Sequence, residues 1–274
     1  MTELLIVGAL TIDRFADGRP APGGSVLHAG LAAVAEGVRP TFLTVGGDEP
    51  EALDGLARLA AMGDLIHQPA SRTASFGHDE RAGRRVLVYE AAPGVIRAPA
   101  GLDAPDVLLL APIADELPAP MVLALRPRYN VMLIQGWLRR LVVGVPVRTL
   151  PLDEVSAEVW DAFRAADAIV VSTEDLAETP EDPFSQAAAL RARIGARPLL
   201  FVTMGTDGYL LDDPAVDRAV ASVPRRVVEN VPMVGAGDTF GAALAIHLGR
   251  GAAPAAAVIA AADRVLRMLE SRAK

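Results

Sequence analysis

Cysteine is absent from this chain. Disulfides, thiolate metal sites and a cysteine nucleophile are thereby excluded. Lysine is nearly absent, because the only one is Lys274, the last residue. A P-loop lysine, a protein-kinase strand lysine and a Schiff-base lysine are all excluded with it. A chain of this kind that handles phosphates must rely on backbone N–H groups, arginine and metal. An excess of positive charge is missing too. The net charge is -8 and the sequence pI about 5.1. No basic patch argues for nucleic acid, and no polybasic segment argues for an anionic membrane. No apolar run reaches the roughly 18 residues of a membrane span. The stretch Met1-Thr2-Glu3-Leu4-Leu5-Ile6-Val7-Gly8 lacks a basic start and a long apolar core. It reads as a first strand and not as a signal peptide. A cytoplasmic protein without nucleic-acid or membrane partners is the expectation. The four histidines show no metal spacing such as H-E-x-x-H, and no G-x-S-x-G elbow is present.

What is present is apolar residues, 51% of 274. That is enough to bury the core of one large α/β domain. Strand-like and helix-like segments alternate. Leu4–Val7, Thr41–Val45, Val107–Leu110, Val131–Ile134, Ala168–Val171, Leu199–Thr203 and Tyr209–Leu211 read as strands. Ser25–Glu36, Pro50–Met62, Ser156–Ala165, Thr239–Leu248 and Pro254–Leu269 read as helices. This order predicts a mostly parallel sheet covered on both faces, with ligands outside the carboxyl ends of its strands. Thr73–His78 and Arg85–Tyr89 break the alternation. They read as an antiparallel hairpin across Asp79–Arg84, with Arg14–Ala21 a candidate neighbour.

Four segments carry candidate chemistry. In Gly235-Ala236-Gly237-Asp238-Thr239-Phe240-Gly241, glycines surround one carboxylate at a helix start. A helix N-terminus offers unpaired N–H groups and partial positive charge, and glycine lets a phosphate approach. A carboxylate there suits a general base beside a phosphoryl group. The plainer reading is a Gly-rich turn with Asp238 as N-cap. A dinucleotide fingerprint fits poorly, since no good strand precedes the glycines and a helix follows. Thr203-Met204-Gly205-Thr206-Asp207-Gly208 ends a strand and could admit a nucleotide; it is equally a hairpin turn. Asp13, with Gly23-Gly24 opening a helix and His28 one turn in, could bind substrate hydroxyls. Asp13 is otherwise a turn residue and His28 a partly buried helix histidine. Arg139, in Gln135–Arg140, would neutralise phosphate charge or simply be solvated.

In this order and spacing the pieces resemble one family, the ribokinase-like (PfkB-type) carbohydrate kinases, over nearly the whole chain. Val7-Gly8 with Asp13, Gly23-Gly24, Val45-Gly46-Gly47-Asp48, Thr203…Gly208 and Gly235-Ala236-Gly237-Asp238 are the residues that carry the likeness. The resemblance implies a three-layer α/β/α fold with a mostly parallel central sheet. It implies a single domain over residues 1–274, with a β lid formed from about 13–22 and 71–91. It implies transfer of the ATP γ-phosphoryl group to a hydroxyl of a small sugar or polyol. Asp238 is then the base, and the backbone of Gly235, Ala236 and Gly237 the anion hole, assisted by Arg139. Asp13, Gly23, Gly24 and His28 bind substrate, and Thr203, Gly205 and Gly208 bind nucleotide. Asp175 is the candidate Mg2+ residue. A lid edge could pair with a second copy to form a homodimer. Pro232-Met233-Val234 stands where the family usually has Asp-Thr-Thr, and Ser172-Thr173-Glu174-Asp175 where it has Asn-x-x-Glu. These departures admit a non-catalytic polyol or nucleotide sensor as the alternative; a nucleoside or vitamin kinase is a third reading.

Overall fold

A computed structural model describes residues 3–15, 18–81, 84–176, 182–216 and 219–273. Ala16 and Asp17 of the first lid segment, and Ala82 and Gly83 of the hairpin turn, lie outside the described residues. The chain begins β1 (Leu4–Val7), β2 (Thr11–Arg14), β3 (Pro20–Gly23), α1 (Ser25–Ala35), β4 (Thr41–Gly46), α2 (Pro50–Met62) and β5 (Asp64–Pro69). The hairpin β6 (Ala74–Arg81) and β7 (Arg84–Ala91) follows, then β8 (Val107–Leu110), α3 (Ala119–Ala124) and β9 (Tyr129–Leu133). Short strands β10 (Arg139–Arg140), β11 (Val145–Pro146) and β12 (Arg148–Thr149) lead to α4 (Ala157–Ala165), β13 (Ala168–Ser172) and α5 (Pro183–Ile194). The last third holds β14 (Leu199–Thr203), β15 (Tyr209–Asp212), β16 (Val220–Ser222), α6 (Ala236–Gly249) and α7 (Pro254–Arg272).

Nine strands form the main sheet in the order β16-β15-β14-β13-β9-β8-β1-β4-β5. From β14 to β5 every pairing is parallel; β15 and β16 are antiparallel additions. The central strands Leu4–Val7 and Val107–Leu110 are buried at every position, as apolar runs covered on both faces must be. α1, α2, α6 and α7 pack on one face, and α3, α4 and α5 on the other. Ser156 and Asp182 cap α4 and α5 by accepting the N–H of Val159 and Ser185.

α6 lies tight against the sheet. A Cβ at Gly241 would stand 2.2 Å from Leu133 Cδ2, and one at Gly249 2.2 Å from Val107 Cγ2. Gly241, the last glycine of the Gly235–Gly241 motif, therefore serves packing, as does Gly249 beyond it. α6 begins at Ala236 and not at Thr239, so Asp238 is the third helical residue and not a cap. The N-cap is Gly235. α3, α5 and β5 have no counterpart in the sequence reading.

A second sheet, β11-β7-β6-β2-β3, stands off the carboxyl edge of the first. β2 leaves β1 after three residues and pairs parallel with β6. β11 joins β7 from more than fifty residues downstream, which the local alternation of the hairpin does not reveal. β3 forms one edge, and its Pro20 and Pro22 lack the N–H that a strand from a second copy would need. A lid-to-lid dimer would have to use the other edge.

The second sheet is tied to the first at its entry. Thr73, just before β6, donates its N–H to Glu49 Oε1 at 3.0 Å and its hydroxyl to Glu49 Oε2 at 2.6 Å. Thr73 Oγ1 accepts the Gly47 N–H at 2.8 Å. Burial works to raise the Glu49 carboxyl, but the two Thr73 donors, with its own N–H and the charge of Arg72, together hold it below its ordinary value of 4.5. The folded state thus binds this proton less readily than the unfolded one. The tie contributes stability above the ordinary carboxylate value and loses it as pH falls through the lower folded one. Thr73→Val is expected to cost about 1–2 kcal/mol near neutral pH. Urea unfolding at several pH values should show the difference from wild type shrinking on acidification below 4.5.

Candidate active site

The two sheets and α6 enclose one continuous cavity of about 630 Å³. Its lining runs from Thr11 and Asp13 at the second sheet to Leu266 and Leu269 on α7. The size lies within the range of about 300–1,000 Å³ usual for small-molecule sites. Asp13, Gly24, His28, Arg139, Asp175, Thr203, Gly205, Gly208 and the run Gly235–Asp238 all line it. Gly23 does not line it but sits against Asp13.

At the end formed by the second sheet, Asp13 is buried. Its Oδ1 accepts the Thr11 hydroxyl at 3.3 Å and lies 3.4 Å from His78 Nε2. A Cβ at Gly23 would stand 2.2 Å from Asp13 Oδ2, so the carboxylate needs glycine across from it. Gly24 has φ +96, and a Cβ there would stand 2.6 Å from the Ala9 carbonyl. This diglycine lets β3 turn into α1 directly behind Asp13. His78 also stacks on Phe15, with ring centroids 4.7 Å apart.

At the middle of the cavity stands the first turn of α6. Gly235 has φ +79, in the left-handed region that favours glycine. The space beside its Cα is filled by His28: a Cβ would lie 2.4 Å from the imidazole Cγ. The Ala236 N–H donates to the Met233 carbonyl at 3.0 Å. Of the three amides expected to be open, that of Ala236 is therefore already engaged. Among the described residues, the N–H groups of Gly235, Gly237 and Asp238 meet no protein acceptor. Nothing stands within 4 Å of a Cβ placed on Gly237, so this face is open. Open amides and the helix dipole together suit a phosphate.

Asp238 is buried but hydrogen-bonded. Its Oδ1 accepts from Gln135 Nε2 at 3.4 Å, and the same amide group donates to Ser25 Oγ at 3.0 Å. Gln135 Oε1 accepts from Arg139 Nη2 at 2.9 Å, and Arg139 Nη1 donates to the Ile113 carbonyl at 3.2 Å. The arrangement orients the glutamine amide, and one side chain links α1, α6 and the turn after β9. Arg139 is thus part of this network, where the sequence suggested a phosphate ligand or a solvated arginine. Asp175 is shifted upward chiefly by burial. Arg139 and the Ser172 N–H oppose the shift, and Glu174 and Asp238 add to it.

Two further groups escaped the sequence reading. Gln135 gave no signal of its own beyond its place at the end of a buried strand. Glu116 is fully buried, and its carboxylate collects the N–H groups of Ala9, Ile113 and Ala114 at 2.8–3.2 Å. It fixes the two loops that carry the Asp13 strand and the Ile113 carbonyl.

The opposite end of the cavity is lined by the Thr203–Gly208 turn, the segment before α6, and α7. Thr203 Oγ1 donates to the Val171 carbonyl at 3.4 Å. Gly205 has φ +59 and open space beside it, whereas a Cβ at Gly208 would stand 2.0 Å from the Ser222 carbonyl. The turn is a hairpin turn and a cavity wall at once.

Solved structures share this architecture. A pyrophosphate-dependent kinase in the ribokinase family, complexed with a pyrophosphate analog and myo-inositol, superposes with TM-score 0.81 at 16% identity, over 97% of this chain and 95% of that one. Arabidopsis thaliana ribokinase with ribose and ATP gives 0.73 at 16% identity, over 98% and 93%. Fructokinase from Vibrio cholerae O395 gives 0.70 at 20%, over 99% of each chain. The chain has the ribokinase fold. No protein-family model and no curated protein sequence matches it. The ribokinase fold is therefore carried here by a sequence far from those of its structural neighbours.

Within that fold the Gly235–His28 contact is open to a direct check. Gly235→Ala is expected to cost about 1–2 kcal/mol from the left-handed backbone alone, plus the cost of displacing His28. Combining it with His28→Ala should recover the second part. A double-mutant cycle by chemical unfolding should give a coupling of about 1 kcal/mol; additive effects would show that the ring does not press on Gly235.

Proposed function

We propose that the protein is a kinase that transfers a terminal phosphoryl group to a hydroxyl of a small sugar or polyol. One observation carries this reading. A buried, hydrogen-bonded carboxylate, Asp238, shares a helix turn with open amides, and both face the cavity that holds Asp13. Asp13 accepts hydrogen bonds from acceptor hydroxyls and orients the one that reacts. Asp238 takes the proton of that hydroxyl as its oxygen attacks phosphorus. The bond to the leaving phosphate oxygen breaks, and the amides of Gly235, Gly237 and Asp238 stabilise charge on the transferring group. Gln135 and Arg139 hold Asp238 in place. The second sheet, as a lid over Asp13, excludes water and limits hydrolysis of the donor.

ATP is the proposed donor. The far end of the cavity carries an apolar wall of Val228, Met233, Ala262, Val265 and Leu269, which suits a purine base. Pyrophosphate is the second reading, and the likeness to a pyrophosphate-dependent kinase favours it. Both donors present the same terminal phosphoryl group to the same amides.

Magnesium is expected to arrive with the donor. No group of three or more His, Asp or Glu side chains able to hold a metal exists among the described residues. Mg2+ asks for less, usually one or two carboxylates with waters and substrate phosphates. Asp175 fits, since it lines the cavity and burial disfavours its charged form, a cost that a cation would relieve. Bound there, the ion would neutralise phosphate charge.

The test is a coupled assay of donor consumption with ATP or pyrophosphate against a panel of sugars, inositols and nucleosides. Turnover is expected with a polyol acceptor, and Asp238→Asn should lower kcat by about 10²–10⁴-fold with folding intact. Near-normal activity in that variant would overturn the role of Asp238. No turnover with any pair, despite a thermal shift by a ligand, would make the protein a sensor.

A further inference from the structure

The segment between β16 and α6 has no regular structure, yet its residues Pro224, Val227, Val228, Met233 and Val234 form a wall of the cavity. Three polar ties bind it to α7. Arg225 lies 3.7 Å from Asp263 and Arg226 3.3 Å from Glu270. Both arginines are exposed, and such pairs contribute little. The third tie differs in kind. Arg272, in the last turn of α7, donates from Nη1 to two backbone carbonyls, Pro232 at 2.6 Å and Val234 at 2.8 Å.

We infer that Arg272 is a positioning residue that aims the amides of the phosphate site. The argument rests on the planarity of the peptide unit. In a trans peptide the C=O and the following N–H point in opposite directions. No cis peptide occurs among the described residues. Holding the Val234 carbonyl toward the guanidinium therefore turns the Gly235 N–H away from it. Holding the Pro232 carbonyl does the same for the Met233 N–H. The Met233 carbonyl between them takes the Ala236 N–H, which fixes the remaining peptide of the turn. Without Arg272, the Pro232 and Val234 carbonyls could rotate toward the cavity, where their oxygens would repel a phosphate. The guanidinium holds those oxygens out of the site and adds positive charge behind it.

This inference rests on the proposed function, since it needs a phosphate at α6. The two are separated by measuring binding before turnover. A non-hydrolysable ATP analogue and pyrophosphate, each with Mg2+, are titrated calorimetrically into wild type, Arg272→Ala, Arg272→Lys and Arg225→Ala. The expected result is about tenfold weaker binding in Arg272→Ala, partial recovery in Arg272→Lys, and no change in Arg225→Ala. In the kinase assay the donor KM should rise in Arg272→Ala while the acceptor KM stays put. Millimolar guanidinium should restore part of the loss, which a general loosening of the fold would not allow. Tight binding by wild type with equal binding by Arg272→Ala would overturn the role of Arg272 alone. No binding of either probe by wild type would overturn the functional reading and this inference with it.

Discussion

The left-handed backbone at Gly235, closed against the His28 ring, is the constraint from which the rest of the site follows. It turns an irregular segment into a helix within a single residue. It brings α1 and α6 together at the carboxyl edge of the sheet, where strand ends and helix starts meet. It leaves amides on one side of the turn and packs a side chain on the other. Any residue with a Cβ would disturb both at once. The small residues further along α6 extend the same logic, since Gly241 and Gly249 let the helix rest on Leu133 and Val107. A phosphate site at a helix N-terminus is only as fixed as the helix behind it. This helix is buried along almost its whole length.

Polar order in the cavity comes from groups that bridge elements. Gln135 joins Ser25, Asp238 and Arg139, and so couples α1 to the first turn of α6. Glu116 gathers three amides from two loops and holds the exits of β1 and β8 together. Burial pushes the Glu116 carboxyl up, against the N–H groups that favour its charged form. The same buried carboxylate, with Asp115, adds to the burial that pushes Tyr89 up to about 12. Tyr89 packs on Phe76 in the second sheet, with ring centroids 5.3 Å apart. Loop order and second-sheet packing thus meet at the second-sheet end of the cavity.

Much of this was legible in the sequence. The central strands announce themselves as apolar runs, because a strand covered on both faces needs no polar residues. The Gly235–Asp238 motif, Asp13 and Thr203–Gly208 could be placed because glycine and carboxylate at fixed spacing have few local explanations. What stayed hidden has physical reasons. α5 carries its apolar residues weakly spaced among alanines and arginines. β11 pairs with a strand far away in sequence, which no local pattern encodes. Gln135 acts through three partners from distant elements, and an amide has no characteristic spacing. That the Ala236 amide is engaged came from a turn bond, to the Met233 carbonyl, that depends on backbone angles. Thr203–Gly208 is the turn of a hairpin and lines the cavity as well, so the hairpin reading does not exclude a place at the site.

The central claim is that the first turn of α6 binds the transferring phosphate through its open amides. Backbone amide NMR during titration with a non-hydrolysable Mg·ATP analogue or magnesium pyrophosphate tests it most directly. The account predicts large shifts at Gly235, Gly237 and Asp238, and a smaller one at Ala236, whose N–H is already bonded. Saturable binding that leaves these amides unmoved, or moves Ala236 most, would contradict it.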